Sequence, residues 1–219
     1  MASFDIVVRT GASLHPLGEP TEFVSAYSAT VTCTDDDTGA VTKVGRVTAV
    51  RVHAGLAEDA GETLFDVCDS YSQELTNLHG LLYEPDGYSF REPLVRRFEA
   101  MESDLLVLDY VVLNPHWRKL KLGLLAVRQF VDLVGGGCGL AVSHIAPVRR
   151  RAHGFAGVPA SWLPRVVSKE ERREAVVKLR RYYRRMGFDR LGRTGYYALP
   201  LNQVTPTAAE LLGGGPSET

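Results

Sequence analysis

The chain has 219 residues, 45% of them hydrophobic and 23% charged, with a formal net charge of −1. Such a length and apolar share suit one globular domain whose core holds without disulfides or metals. They exclude a membrane-spanning chain: the best apolar run, residues 105–113, is nine residues long and carries Asp109, whereas a spanning helix needs roughly 20.

Met1 to Arg9 include Asp5 and no long apolar run, so no signal peptide is read there, and a cytoplasmic protein without membrane contact is expected. The three cysteines, Cys33, Cys68 and Cys138, form no CxxC pair and fit no closed disulfide framework, which points to a reducing compartment. Charge is unevenly spread. Residues 147–193 hold 14 Lys and Arg against 4 Asp and Glu, while residues 1–146 hold 11 against 20. Two halves that neutralise each other account for this more simply than a basic face for nucleic acid, although a phosphate-rich cofactor would use part of it.

In chain order, residues 11–20 read as loop, and residues 21–34, rich in Val, Thr, Tyr and Phe, as a strand. Asp35-Asp36-Asp37-Thr38-Gly39 is a turn signal; it lacks the spacing of a calcium loop, and no metal site is expected. Alternating valines over residues 40–53 complete an antiparallel hairpin. Apolar residues at threes and fours predict a helix over residues 56–82, broken by Pro85-Asp86-Gly87, with a short helix over 91–101. Residues 105–113 form a buried strand ended by Asn114-Pro115. A helix over 121–134 follows, stopped by three glycines, and then a strand over 140–145.

Residues 148–167 read as an irregular basic insertion, mobile without a partner and bordering the acceptor groove. Ser168 and Glu171 form a capping box that opens a helix with Val176, Leu179, Tyr183 and Met186 on one face, closed by a left-handed Gly187. Residues 196–201 are a last strand. The domain is expected to span residues 1–203, with a variable part to 103 and a core from 104, and residues 204–219 to form a disordered tail.

The segment from Val111 to Phe130 is the most informative. A strand feeding a helix N-terminus is an anion site, because unpaired N–H groups point outward and the helix dipole favours negative charge. Gly123 allows close backbone approach, and Arg118 and Lys121 add positive charge.

Here the chain resembles the GNAT superfamily of N-acetyltransferases. Their Arg/Gln-x-x-Gly-x-Gly/Ala motif reads Arg118-Lys119-Leu120-Lys121-Leu122-Gly123, with Lys121 at the middle glycine, and their Tyr-x-x-x-Gly-Phe motif reads Tyr183 to Phe188. The resemblance runs from about residue 105 to 201. It implies an α/β fold: a mixed, mostly antiparallel sheet flanked by helices and splayed between two central strands. It implies acetyl-CoA as cofactor, with Val111, Val112 and Leu113 on the pantetheine arm. The pyrophosphate would lie on backbone from Lys119 through Lys121, Leu122 and Gly123 to Leu124, beside Arg118.

The resemblance also implies direct acetyl transfer to an amine, with Tyr183 protonating the departing thiolate. A phenol pKa of roughly 10 suits that thiolate. For the base, Asp109 and His144 are the candidates, each with a purely packing alternative. The acceptor is a small-molecule amine or a protein or peptide amine, and a homodimer is compatible. The competing functions are a CoA-binding sensor or scaffold without turnover and, less favoured, a nucleic-acid-associated modifier.

Overall fold

The computed structural model describes residues 2–11, 18–118, 120–147, 155–163 and 168–213. Its strands are β1 (Ala2–Thr10), β2 (Val24–Asp35), β3 (Val41–Val52), β4 (Asp104–Leu113), β5 (Cys138–His144), β6 (Asp189–Arg190) and β7 (Tyr196–Pro200). They join in one mixed sheet of seven strands in the order β1-β2-β3-β4-β5-β7-β6. β1 to β4 are an antiparallel meander, β4 and β5 pair in parallel, and the remaining pairs are antiparallel. Only the parallel pair needs a crossover, and α5 (Leu122–Val134) supplies it.

The β2–β3 turn is closed by the Asp35 carboxylate, which accepts from the N–H groups of Asp37 and Thr38 and from the Thr38 hydroxyl. These bonds hold Asp35 below the usual carboxylate range. β1 was not foreseen. It is an edge strand with most residues exposed, and only Ile6 and Val8 reach the core, so its sequence carries little burial signal.

The helix expected over residues 56–82 is three helices: α1 (Ala54–Ala60), α2 (Leu64–Tyr71) and α3 (Gln73–Leu82). Left-handed Gly61 ends the first at φ 75°, and extended Ser72 separates the other two. The hydroxyls of Thr63 and Ser72 cap the second and third by accepting from the N–H groups of Asp66 and Leu75. The apolar period survives because all three helices, with α4 (Glu92–Phe98), pack on one side of the sheet: Leu64, Val67, Leu75, Leu78 and Leu82 meet Val52, Leu105 and Val107 there.

The other side buries α5 through Leu124, Val127, Phe130 and Val131 against Ala29, Val31, Val47 and Leu108. The helix α6 (Lys169–Arg184) opens with the expected capping box and leans Leu179, Tyr182 and Tyr183 on that second core. Gly187 follows at φ 93°. Among the described residues, no helix is long and apolar enough to cross a membrane.

Two expectations are corrected. Residues 207–213 are not a disordered tail: Thr207 and Glu210 form a capping box for α7 (Ala208–Leu212), and Leu211 is buried in the core. Arg128 and Arg185 donate to the carbonyls of Pro206 and Leu211 and fasten this end down; residues 214–219 lie outside the described residues. In the insertion, residues 155–163 are packed rather than loose. Phe155, Trp162 and Leu163 are buried against Tyr110 and Val112 of β4, and the rings of Tyr110 and Phe155 lie 4.6 Å apart, edge to face. The remainder, 148–154 and 164–167, is outside the described residues.

Candidate functional site

The parallel ladder between β4 and β5 stops at Leu108 and Ser143, while β4 continues to Leu113. At the same point the β3–β4 register shifts. Thr48 faces Tyr110 and Ala49 faces Leu108, so Asp109 is the extra residue of a β-bulge. Bulges bend a strand and take their extra residue out of the ladder. The Ser143 hydroxyl donates to the Leu108 carbonyl at 3.1 Å and pins the fork where the strands part.

A cavity of about 700 Å³ fills the opening. One wall is β4 from Asp109 to Leu113; the other runs from Ser143 to Pro147 at the end of β5; Leu179, Tyr182 and Tyr183 of α6 close it. Its cationic lining residues are Arg118, Lys121, Arg185 and Lys178, the last paired with Glu174 at 3.8 Å. Arg118 donates to the carbonyls of Leu113 and Trp162, Lys121 to that of Leu212 and Arg185 to that of Leu211. Among the described residues no carboxylate pairs with any of the three. Three lining cations, bonded only to neutral carbonyls among the described residues, leave a positive field for an anion. Burial pushes the Arg118 guanidinium below its usual value, the cost of drawing a charge out of water.

Beside them α5 begins. Lys121 precedes it in a left-handed conformation, φ 59°, and gives it no side-chain cap. Gly123 is buried, and a Cβ there would stand 3.1 Å from the Tyr182 hydroxyl and 3.5 Å from Leu113. The expected anion-binding amides are narrowed by one. The Leu124 N–H donates to the Tyr182 hydroxyl at 2.8 Å, and Leu124 is buried behind the turn. Lys119 lies outside the described residues.

No family model, curated protein or solved structure matches the chain. The site therefore rests on its own geometry.

That geometry gathers Asp109, His144 and Tyr183, which come from three separate elements, around one cavity together with Val111, Val112, Leu113, Arg118, Lys121, Leu122 and Gly123. Asp109 is exposed on the bulge and accepts a hydrogen bond from the Thr48 hydroxyl at 3.3 Å. His144 is exposed at the end of β5, its ring edge-on to Tyr196 at 5.1 Å. Tyr183 packs edge-to-face on Phe188 at 5.2 Å, and burial pushes its phenol well above the ordinary value, so the hydroxyl keeps its proton. Cys138, weighed as a reactive thiol, is buried and pushed up to about 12 by desolvation, with no place in the cavity lining.

Sequence reasoning missed Ser143, Trp162 and Arg185. Ser143 was hidden inside an apolar strand, and Trp162 lay in a segment read as irregular. Arg185 was one of many arginines after residue 147. For Arg185 and Tyr182 the available signal was position, since both fall within or beside the tyrosine motif.

Proposed function

We propose that the protein is a coenzyme-A-dependent N-acyltransferase that moves an acetyl group directly from the thioester to an amine. The observation that carries this reading is the parting of β4 and β5 beyond Leu108 and Ser143, with Arg118, Lys121 and Arg185 lining the opening and paired with no carboxylate among the described residues. The residues fit the cofactor. A long, apolar-walled cleft suits a pantetheine chain, and Arg118, Lys121, Arg185 and the glycine-lined start of α5 suit a diphosphate.

The bound thioester supplies an activated acyl group. The chain's own residues do the rest. The strand edge from Val111 to Leu113 orients the arm, and the bulge at Asp109 frees backbone to polarise the acyl carbonyl. Asp109 takes a proton from the bound ammonium, directly or through water, to give the neutral amine that attacks, and the Tyr183 hydroxyl gives one to the departing sulfur. In balance, the nitrogen–carbon bond forms as the carbon–sulfur bond breaks. The ammonium loses two protons, one replaced on the thiol and one released to solvent.

Calorimetric titration with coenzyme A tests the reading. Binding to the native state alone at a hundredfold excess over Kd adds about 2.7 kcal/mol of stability, so the Tm should rise. Lys121→Gln should weaken binding and flatten its salt dependence. A Tm unmoved by saturating coenzyme A would overturn the assignment.

A further inference from the structure

A second cavity, of about 370 Å³, lies over the open side of β2, β3 and β4 and shares Asp109 and Tyr110 with the larger one. The two meet at the bulge. One flank is Tyr71 at the end of α2, and the other is Ala156 of the packed insertion. If acyl transfer takes place at Asp109, the larger cavity holds the thioester and the smaller one is the remaining approach for the amine. Its lining then reports the acceptor's chemistry.

That lining is mostly apolar, and its charged groups are chiefly cationic. Arg46 of β3 and Arg9 of β1 contribute guanidinium groups, and Asp109 is the sole carboxylate among the described lining residues. Arg46 is half-buried. Its Nη1 donates to the Thr30 hydroxyl at 3.0 Å, and its Nε is buried with no hydrogen-bond partner among the described residues. No described carboxylate pairs with it. A half-buried guanidinium with no described carboxylate on it is a poor end state for a charge, and its remaining nitrogen, Nη2, is left to receive an anion. At the other end, Thr48 orients Asp109 through its 3.3 Å hydrogen bond. Arg46 and Thr48 face Val112 and Tyr110 across the ladder, so they lie two residues apart on one face of β3. Their Cα atoms are therefore about 7 Å apart.

We propose that the acceptor is a small amine that also bears a carboxylate, an amino acid or close amino-carboxylate, with its carboxylate on Arg46 and its amine at Asp109. The inference rests on the acyltransferase reading and gives it a substrate class. Polyamines, aminoglycosides and basic peptides are disfavoured, because a second positive group would meet Arg46 or Arg9. The transfer stays balanced as above: the amine nitrogen gains the acetyl group, the thiol is released, and the carboxylate is unchanged.

The test uses the full chain and matched pairs that differ by the carboxylate: phenylalanine with phenethylamine, ornithine with putrescine, β-alanine with ethylamine. Coenzyme A binding is first measured alone by calorimetry. Thiol release from acetyl-CoA, and binding to the coenzyme-A-loaded protein, are then measured for each pair. In at least one pair the carboxylate member should have a kcat/KM at least tenfold higher. Arg46→Met should remove that advantage while leaving coenzyme A affinity unchanged. Should Arg46→Met fail to fold, Arg46→Lys, which keeps the charge and loses the fork, should reduce the advantage at least threefold. Equal or better use of the plain amines overturns the inference, as does a carboxylate preference that survives in a folded Arg46 variant. If coenzyme A binds but no carboxylate member binds or reacts, the substrate class falls and the acyltransferase reading stands. If coenzyme A itself does not bind, both fall.

Discussion

The hydroxyl of Tyr182 accepts a hydrogen bond from the backbone N–H of Leu124 at 2.8 Å, joining α6 to the first turn of α5. The same N–H lies 2.9 Å from the Lys121 carbonyl, so it is not orphaned when the phenol is lost. Tyr182→Phe should therefore cost only about 1 kcal/mol, or roughly 2–4 °C in Tm for a chain of this size. Tyr182 also lines the cavity, and accepting from Leu124 leaves its own O–H proton to donate. Under the acyltransferase reading that proton goes to the diphosphate, and the variant should bind coenzyme A about fivefold more weakly, in line with one neutral hydrogen bond. A lower Tm with unchanged affinity would make Tyr182 a structural link only.

Asp104, at the start of β4, sets an acid limit on stability. Burial alone would raise its pKa, but hydrogen bonds from His53, Arg51 and the Gly55 N–H hold it below the usual carboxylate range. Arg51 bonds it at 2.8 Å, with both side chains largely buried. A carboxylate depressed in the folded state contributes its full stability above its unfolded pKa, about 3.9, and loses it as pH falls through the folded value. Asp104→Asn should lower stability near neutral pH by about 3 kcal/mol, since it leaves the Arg51 charge without its partner. It should also flatten the decline of Tm below pH 4. An unchanged acid limb would assign that limb to other carboxylates.

Much of this arrangement was legible before folding. The strand–turn–helix from Val111 to Phe130 announced itself because an apolar strand, a proline stop and an amphipathic helix each leave a strong local mark. The capping box at Ser168 and left-handed Gly187 were legible for the same reason. The bulge at Asp109 was not, because it is defined by pairing with β3, some 60 residues away. Nor was the packing of Trp162 on β4, since proline-punctuated segments carry no period and their burial is decided by what they meet. The candidates Asp109, His144 and Tyr183 were chosen on motif and strand position. Their convergence on one cavity, and the lack of a carboxylate on Arg118, Lys121 or Arg185 among the described residues, are tertiary facts.

Gly139 in β5 is a backbone contact point. A Cβ there would fall 2.0 Å from the carbonyl oxygen of Glu102, in the turn that leads into β4. Neither backbone can retreat without opening the parallel ladder on which the fork depends. Gly139→Ala should destabilise by about 3 kcal/mol, at the upper end for overpacking, a Tm loss of roughly 6–12 °C. Gly136→Ala is the control, since a Cβ there meets nothing within 4 Å. Equal Tm values for the two variants would contradict the close approach.

Tyr183→Phe separates catalysis from packing. The ring of Tyr183 is held by Phe188 and Tyr182, and phenylalanine keeps those contacts, so the fold and the Tm should change little. Burial raises the phenol's pKa, so across the neutral range it stays protonated, although as a weaker acid than the ordinary phenol that would match the thiolate. A donor that matters as the thiolate forms contributes to the transition state and hardly to the ground state. General acid catalysis of this kind is worth about a hundredfold or more, whereas the loss of one neutral hydrogen bond in binding is worth about 1 kcal/mol. With an acceptor from the matched pairs, kcat should fall about a hundredfold while KM for acetyl-CoA shifts no more than a few-fold. Full kcat in Tyr183→Phe would leave the residue as packing between α6 and the sheet, with the sulfur protonated by water.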